Sequence, residues 1–118
     1  MDPVLAVISL WAEDVHATAN FYHEVLGLRI APHHGHYPHF NLGGVNLVIL
    51  KGRPCPAQET IPSRFPLIAF SVSNLGDAIA RLEANDVELP WGIEEDPNSQ
   101  WVMFHDPAGN LIELVEFN

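Results

Sequence analysis

Histidine is the side chain whose spacing first suggests chemistry. Four of the seven histidines fall within seven residues, His33-His34-Gly35-His36-Tyr37-Pro38-His39. Neutral imidazole ligates zinc, copper or nickel, and a dense tract is one way to gather such ligands. Gly35 and Pro38 deny the tract a fixed helical spacing, so the plainer expectation is a polar loop between two strands. His39, beside the strand residue Phe40, is the member expected to point in a fixed direction, and Tyr37 is placed to close over a ligand. His16 and His23 fall on a helical stretch and are expected at its surface. Trp91 and Trp101 flank Glu94-Glu95-Asp96-Pro97; their rings suit stacking on a planar ligand, or equally packing and subunit contact. Cys55 lies between Pro54 and Pro56 with no base beside it in sequence, so nothing marks it as a nucleophile.

The elements that must position these residues read as two similar halves. Val4 to Leu10 is a β-type run. Asp14 stands as an N-cap, Val15, Ala19, Tyr22 and Leu26 follow at helical spacing, and Gly27 closes the helix. Strands are expected at Leu28–Ile30, His39–Leu42 and Asn46–Leu50. The stretch 52–66 holds Pro54, Pro56, Pro62 and Pro66 and reads as a linker. The order then repeats: strand Pro66–Val72, N-cap Asn74 before the stripe Leu75, Ala78, Ile79 and Leu82, strand Val87–Leu89, loop Pro90–Pro97, strand Gln100–His105, a turn at Asp106–Gly109, and strand Leu111–Phe117. Asp14 matches Asn74 at an offset of 60, and Asn46-Leu47-Val48-Ile49-Leu50 matches Asn110-Leu111-Ile112-Glu113-Leu114 at an offset of 64. A repeat of this size marks a duplicated β-α-β-β-β unit that curls a short sheet under one helix. The expected layout is one domain, with module 1 at about 1–51, a linker at 52–65 and module 2 at about 66–118.

Composition narrows the partners. Five Lys and Arg against fifteen Asp and Glu leave a charge of −10 over 118 residues, which argues against nucleic acid and anionic membranes. Hydrophobic residues at 47% and charged residues at 17% fit a globular chain. No apolar run reaches the roughly 20 residues of a membrane helix. Met1-Asp2-Pro3 has no basic stretch of the kind that opens a signal peptide, and one cysteine makes no internal disulfide, so a cytoplasmic setting is expected.

Two segments carry a family resemblance. Asp14 to Leu28, with its Phe-Tyr-x-x-Val-Leu-Gly-Leu ending, resembles the first helix of the vicinal oxygen chelate superfamily of glyoxalases, bleomycin-resistance proteins and extradiol dioxygenases. Asp106-Pro107-Ala108-Gly109-Asn110-Leu111-Ile112-Glu113-Leu114 resembles its closing turn and strand. The resemblance implies an α+β fold of two βαβββ modules forming a cup-shaped mixed sheet, and a homodimer. It also implies where metal ligands would stand. Metal-dependent members carry a His seven residues before each helix-opening residue, which here falls on Val7 and Leu67. They carry an acidic ligand on the last strand of each module, which falls on Glu113 and, through the internal repeat, on Ile49. Three of the four are aliphatic and have no lone pair to give, so no metal and no cofactor are expected.

Strand alternation then gives the expected lining of the cup. Val7, Ser9 and Trp11 come from the first strand, Leu47 and Ile49 from the last strand of module 1. Leu67, Ala69 and Ser71 come from the first strand of module 2, and Leu111, Glu113 and Val115 from its last. Trp101, Met103 and His105 share one face of the strand between. Glu113 among such neighbours is expected to hold its proton to a raised pH, as a candidate general base or an anchor for a cationic or hydroxyl-bearing ligand. The expected ligand-binding set is Val7, Ser9, Trp11, His39, Ile49, Leu67, Ala69, Trp101, Met103 and Glu113. The expected function is metal-free binding of a planar or cationic small molecule, resembling the bleomycin-resistance branch. The alternatives are a metal-dependent lyase, isomerase or dioxygenase using Glu113 with non-standard His ligands, and an accessory module without a ligand.

Overall fold

The computed structural model describes residues 1–2, 5–31, 37–53 and 67–118. The tract His33–His36, Cys55 and nearly all of the linker lie outside the described residues. Contacts divide the chain into two compact units, Met1–Pro54 and Cys55–Asn118.

In the first unit, β1 (Val7–Ala12) lies parallel to β3 (Asn46–Lys51), and β2 (His39–Asn41) pairs antiparallel with the other side of β3. Helix α1 (Val15–Asn20) starts where the sequence places it: the Asp14 side chain accepts the Ala17 N–H at 3.0 Å. The helix continues as a wider π-type turn over Phe21–Val25. It ends at Gly27, whose φ of +75° suits a residue without a Cβ, and the Leu28 N–H closes back onto the Tyr22 carbonyl at 2.9 Å. Ala19, Phe21 and Tyr22 cover Leu10, Ala12, Phe40, Leu47 and Ile49, all buried. Each large apolar side chain in that layer contributes about 1.5–3 kcal/mol. The strand expected at Leu28–Ile30 shrinks to a single bridge, Ile30 to Phe40.

In the second unit the sheet order is β4 (Ile68–Ser71), β7 (Leu111–Phe117), β6 (Ser99–His105), β5 (Glu94–Asp96). Helix α2 (Leu75–Ala84) is capped by the Asn74 side chain, which accepts the Asp77 N–H at 3.0 Å. A carboxylate from the sheet supplies a second acceptor, since the Leu75 N–H donates to Glu116 Oε1 at 2.7 Å. Leu75 and Leu82 pack α2 onto the sheet face of Ile68, Val102, Phe104, Ile112 and Leu114, all buried. No strand forms at Val87–Leu89. The Val87 N–H returns to Leu82, the Gly92 N–H returns to Leu89, and Pro90 has no donor to give, so this backbone is spent on turns. The strand lies instead at Glu94–Asp96, at the sheet's edge, where charged residues are tolerated and discourage further pairing.

The β6–β7 turn is built on one buried side chain. Asp106 Oδ1 accepts the Ala108 N–H at 3.0 Å and the Asn110 N–H at 2.9 Å, and Oδ2 accepts the Asn110 amide at 2.9 Å. Gly109 takes φ +94° within it.

Candidate functional site

With each helix covering one face of its sheet, the other face is left to carry chemistry. In the second unit the strand register places Ala69, Glu113 and Met103 in one row and Val115, Trp101 and Glu94 in the next. His105 stands opposite Leu111 on the same face. Ala69 and Ser71 are exposed, Leu67 is 42% exposed, and Glu113, Trp101 and Met103 are half-buried. The Glu113 carboxyl is pushed above the ordinary glutamate range, first by burial and then by the negative charge of Glu94. Glu94 Oε1 is itself buried and finds no hydrogen-bond partner among the described residues. The face therefore carries two carboxyls beside an indole. His105 lies at its end, its ring 6.1 Å from that of Trp91 at 47°.

Glu94 was not legible as a site residue. Three successive acids carry no hydrophobic alternation, so Glu94-Glu95-Asp96 reads as loop until its pairing with Ser99–Trp101 is known. The neighbouring Asp96 serves the turn: its carboxyl is held below the ordinary aspartate range by the Asn98 N–H and then the Ser99 hydroxyl.

In the first unit the face turned away from α1 carries Val7, Ser9 and Trp11 from β1, Asn46, Val48 and Leu50 from β3, and His39 and Asn41 from β2. The expected places of Leu47 and Ile49 are corrected by this register. Both lie on the opposite face, fully buried under α1, and Val48 stands between Ser9 and His39. Ser9 pairs with Val48 as Ala69 pairs with Glu113, so the true offset at the last strand is 65 and not 64. His39 Nδ1 donates to the Tyr37 carbonyl at 2.9 Å, which fixes that ring. His16 is exposed on α1, and His23 Nδ1 donates to the Leu28 carbonyl at 2.8 Å beside the helix end.

The metal that this fold can carry does not fit these side chains. The residue that corresponds to Glu113 in the first unit is Val48, an aliphatic side chain like Val7 and Leu67. Among the described residues no three His, Cys, Asp or Glu side chains gather closely enough to hold an ion. Glu113 and Glu94 are two ligating side chains, where transition-metal sites of this kind use three or four.

Comparison with known proteins gives the class. The family described as Glyoxalase/Bleomycin resistance protein/Dioxygenase superfamily matches residues 4–114, and the chain belongs to it. The fold agrees, two mixed sheets with few helices. A lactoylglutathione lyase from Agrobacterium tumefaciens is similar at TM-score 0.73 and 24% identity, over 98% of this chain and 94% of that one. TnmS3, an antibiotic binding protein from a Streptomyces species, is similar at TM-score 0.78 and 22% identity, over 99% and 98%. The oxidase ChaP-H2 is similar at TM-score 0.78 and 23% identity, over 100% and 96%. These likenesses show the fold and leave the chemistry to this chain's own residues. No curated protein matches the sequence.

Proposed function

We propose that this protein binds a planar or cationic small molecule, without the divalent ion that other members of the superfamily use, and that Glu113 anchors the ligand. The observation that carries the reading is Glu113 itself. It is a half-buried carboxyl with a raised pKa, flanked by Ala69 and Met103, with Trp101 in the next row. A desolvated acid beside an indole is suited to a flat cation, which stacks on the ring while its charge faces the carboxylate. The charge of −10 favours approach of such a ligand. The ligand-contacting set is Leu67, Ala69, Trp101, Met103 and Glu113 in the second unit; Val7, Ser9, Trp11 and His39 are the corresponding candidates on the sheet face of the first unit, and Ile49 leaves the set because it lies under α1. One similar protein of the same fold is an antibiotic binder.

The protein acts as a single two-module domain, in the cytoplasm, and as a homodimer. The dimer is supported by the exposed Ile30, Trp91, Ile93 and Phe117, which lie outside the ligand-contacting set and leave apolar surface for a second copy to cover. Among the described residues no helix is long and apolar enough to cross a membrane.

Titration of the untagged protein with proflavine, a flat cation, tests the reading. Quenching of tryptophan emission that weakens in Glu113→Gln supports it. A stoichiometric bound metal that Glu113→Gln releases would favour the lyase, isomerase or dioxygenase reading and overturn this one. Light scattering at micromolar concentration tests the dimer.

A further inference from the structure

The edge strand β5 holds three successive acids, and two of them are already engaged. Asp96 accepts the Asn98 N–H at 2.8 Å and the Ser99 hydroxyl at 2.9 Å, both within its own turn. Glu95 turns to the other face of the strand, where its Oε2 accepts the Gln100 amide at 3.2 Å. Glu94 differs from both. Its Oε1 is buried, and no donor reaches it among the described residues. A buried acceptor without a donor is costly, the more so on a group that can carry charge. The register places the Glu94 side chain on the face of Trp101, Met103 and Glu113. Glu94 stands opposite Trp101, and Glu113 stands one row along on the far side of β6. Neighbouring strands lie about 5 Å apart and alternate residues about 7 Å apart, so the two glutamates leave the backbone roughly 10 Å from each other across the sheet. The Glu94 charge nevertheless reaches Glu113, where it adds to burial in raising that carboxyl's midpoint. Met103 beside Glu113 and Val115 beyond Trp101 have no N–H or O–H to offer either acid.

We propose that Glu94 is a second binding residue of this face, whose Oε1 accepts a hydrogen bond from the ligand, so that the site takes flat cations bearing N–H groups in preference to fully N-alkylated ones. The inference rests on the reading that this face takes a flat cation, and deepens it by naming what the cation must carry. Positive charge alone would meet the needs of Glu113. A cation with every nitrogen alkylated would bring that charge and still leave Glu94 Oε1 without a donor, now further from water. An aromatic amine, amidine or guanidine spreads its charge onto N–H groups and supplies the missing donor. A site with an acceptor waiting in this way discriminates by hydrogen bonding and not by charge.

The test compares proflavine with acridine orange on the full chain, by quenching of tryptophan emission. Both are flat acridine cations, and acridine orange carries methyl groups in place of every amino hydrogen of proflavine. Wild-type protein is expected to bind proflavine about tenfold to a hundredfold more tightly, the value of one hydrogen bond to a charged group. Glu94→Met is expected to erase that preference while melting no lower than wild type, because the oxygen it removes has no partner in the ligand-free protein. Glu94→Gln keeps an acceptor oxygen and is expected to keep a preference for proflavine. Equal wild-type affinity for the two dyes, lost in Glu113→Gln, overturns the role of Glu94 and leaves the proposed function standing. A preference that survives in Glu94→Met overturns the role of Glu94 as well, since methyl bulk would then explain it. So does a Glu94→Met chain that is destabilised or fails to fold, because the oxygen would then serve the fold, and so does a Glu94→Gln chain that discriminates no better than Glu94→Met. Wild-type protein that binds neither dye overturns the proposed function and this role together.

Discussion

Asp106 bears the sharpest test of what the family-like turn is for. Its carboxylate, 3% exposed, accepts two backbone N–H groups and one side-chain amide within four residues. Asp106→Ala removes all three acceptor contacts at once. A hydrogen bond to a charged group contributes about 1.5–3 kcal/mol, and a stranded buried donor costs about 1–3 kcal/mol. The Asn110 amide is only half-buried and can turn to water, so the two backbone donors dominate. The expected loss is about 3 kcal/mol, with a fall of roughly 10–20 °C in melting temperature. Asp106→Asn keeps one oxygen for the two backbone donors and loses the charge and the Asn110 contact, so it should cost about half as much. Urea unfolding followed by tryptophan fluorescence and far-UV circular dichroism measures both. The reasoning fails if Asp106→Ala costs less than about 1 kcal/mol, or if Asn proves as damaging as Ala. A variant of unchanged stability with lost ligand affinity would make Asp106 a binding residue and not the turn's keystone.

Three further outcomes follow from the same geometry. Glu113 holds its proton to higher pH in the folded chain than in the unfolded one, so its contribution to stability is full below the ordinary glutamate range and is lost as pH rises through the raised folded value. Glu113→Gln should therefore stabilise the protein at neutral pH, and Glu94→Gln should lower the Glu113 midpoint in a carboxyl ¹³C titration without normalising it, because burial outranks the Glu94 charge. Glu13 behaves oppositely: the Arg53 hydrogen bond and charge lower its midpoint, so its contribution is present above the ordinary range and lost as pH falls through the folded value. The pair is exposed, and 1 M salt should carry the Glu13 midpoint back toward the ordinary range in the same ¹³C experiment. Asn74→Ala should cost about 1 kcal/mol in urea unfolding by freeing the Asp77 N–H at the start of α2.

Features written in a few adjacent residues were legible in the sequence. Asp14 and Asn74 cap their helices as expected, and Asp106–Gly109 turns as expected, because each uses a side chain within four residues of its target. Register was not so local. The last strand of each unit repeats the same apolar pattern, and a match over five residues is indifferent to a one-residue shift. That shift turns Ile49 toward α1 and Val48, also buried, toward the opposite face. The strand expected at Val87–Leu89 failed for a related reason. Its three residues have strand-like hydropathy, yet their hydrogen bonds go to turns that only the folded chain reveals. Glu94 escaped notice because an edge strand of acids carries no apolar period.

The division of labour between the two faces of each sheet explains how one fold can keep its shape while its chemistry changes. In the second unit, Ile68, Val102, Phe104, Ile112 and Leu114 meet α2 and fix the sheet, while Ala69, Met103 and Glu113 alternate with them on the other side. The same strands in the first unit place Leu10, Leu47 and Ile49 inward and Ser9, Val48 and His39 outward. A substitution on the outward face leaves the helix-covered core untouched. A position that holds a carboxylate in one unit can therefore hold valine in the other, with caps, turns and core intact. What such a change alters is the set of side chains offered on that face, a carboxyl in the second unit and a valine in the first.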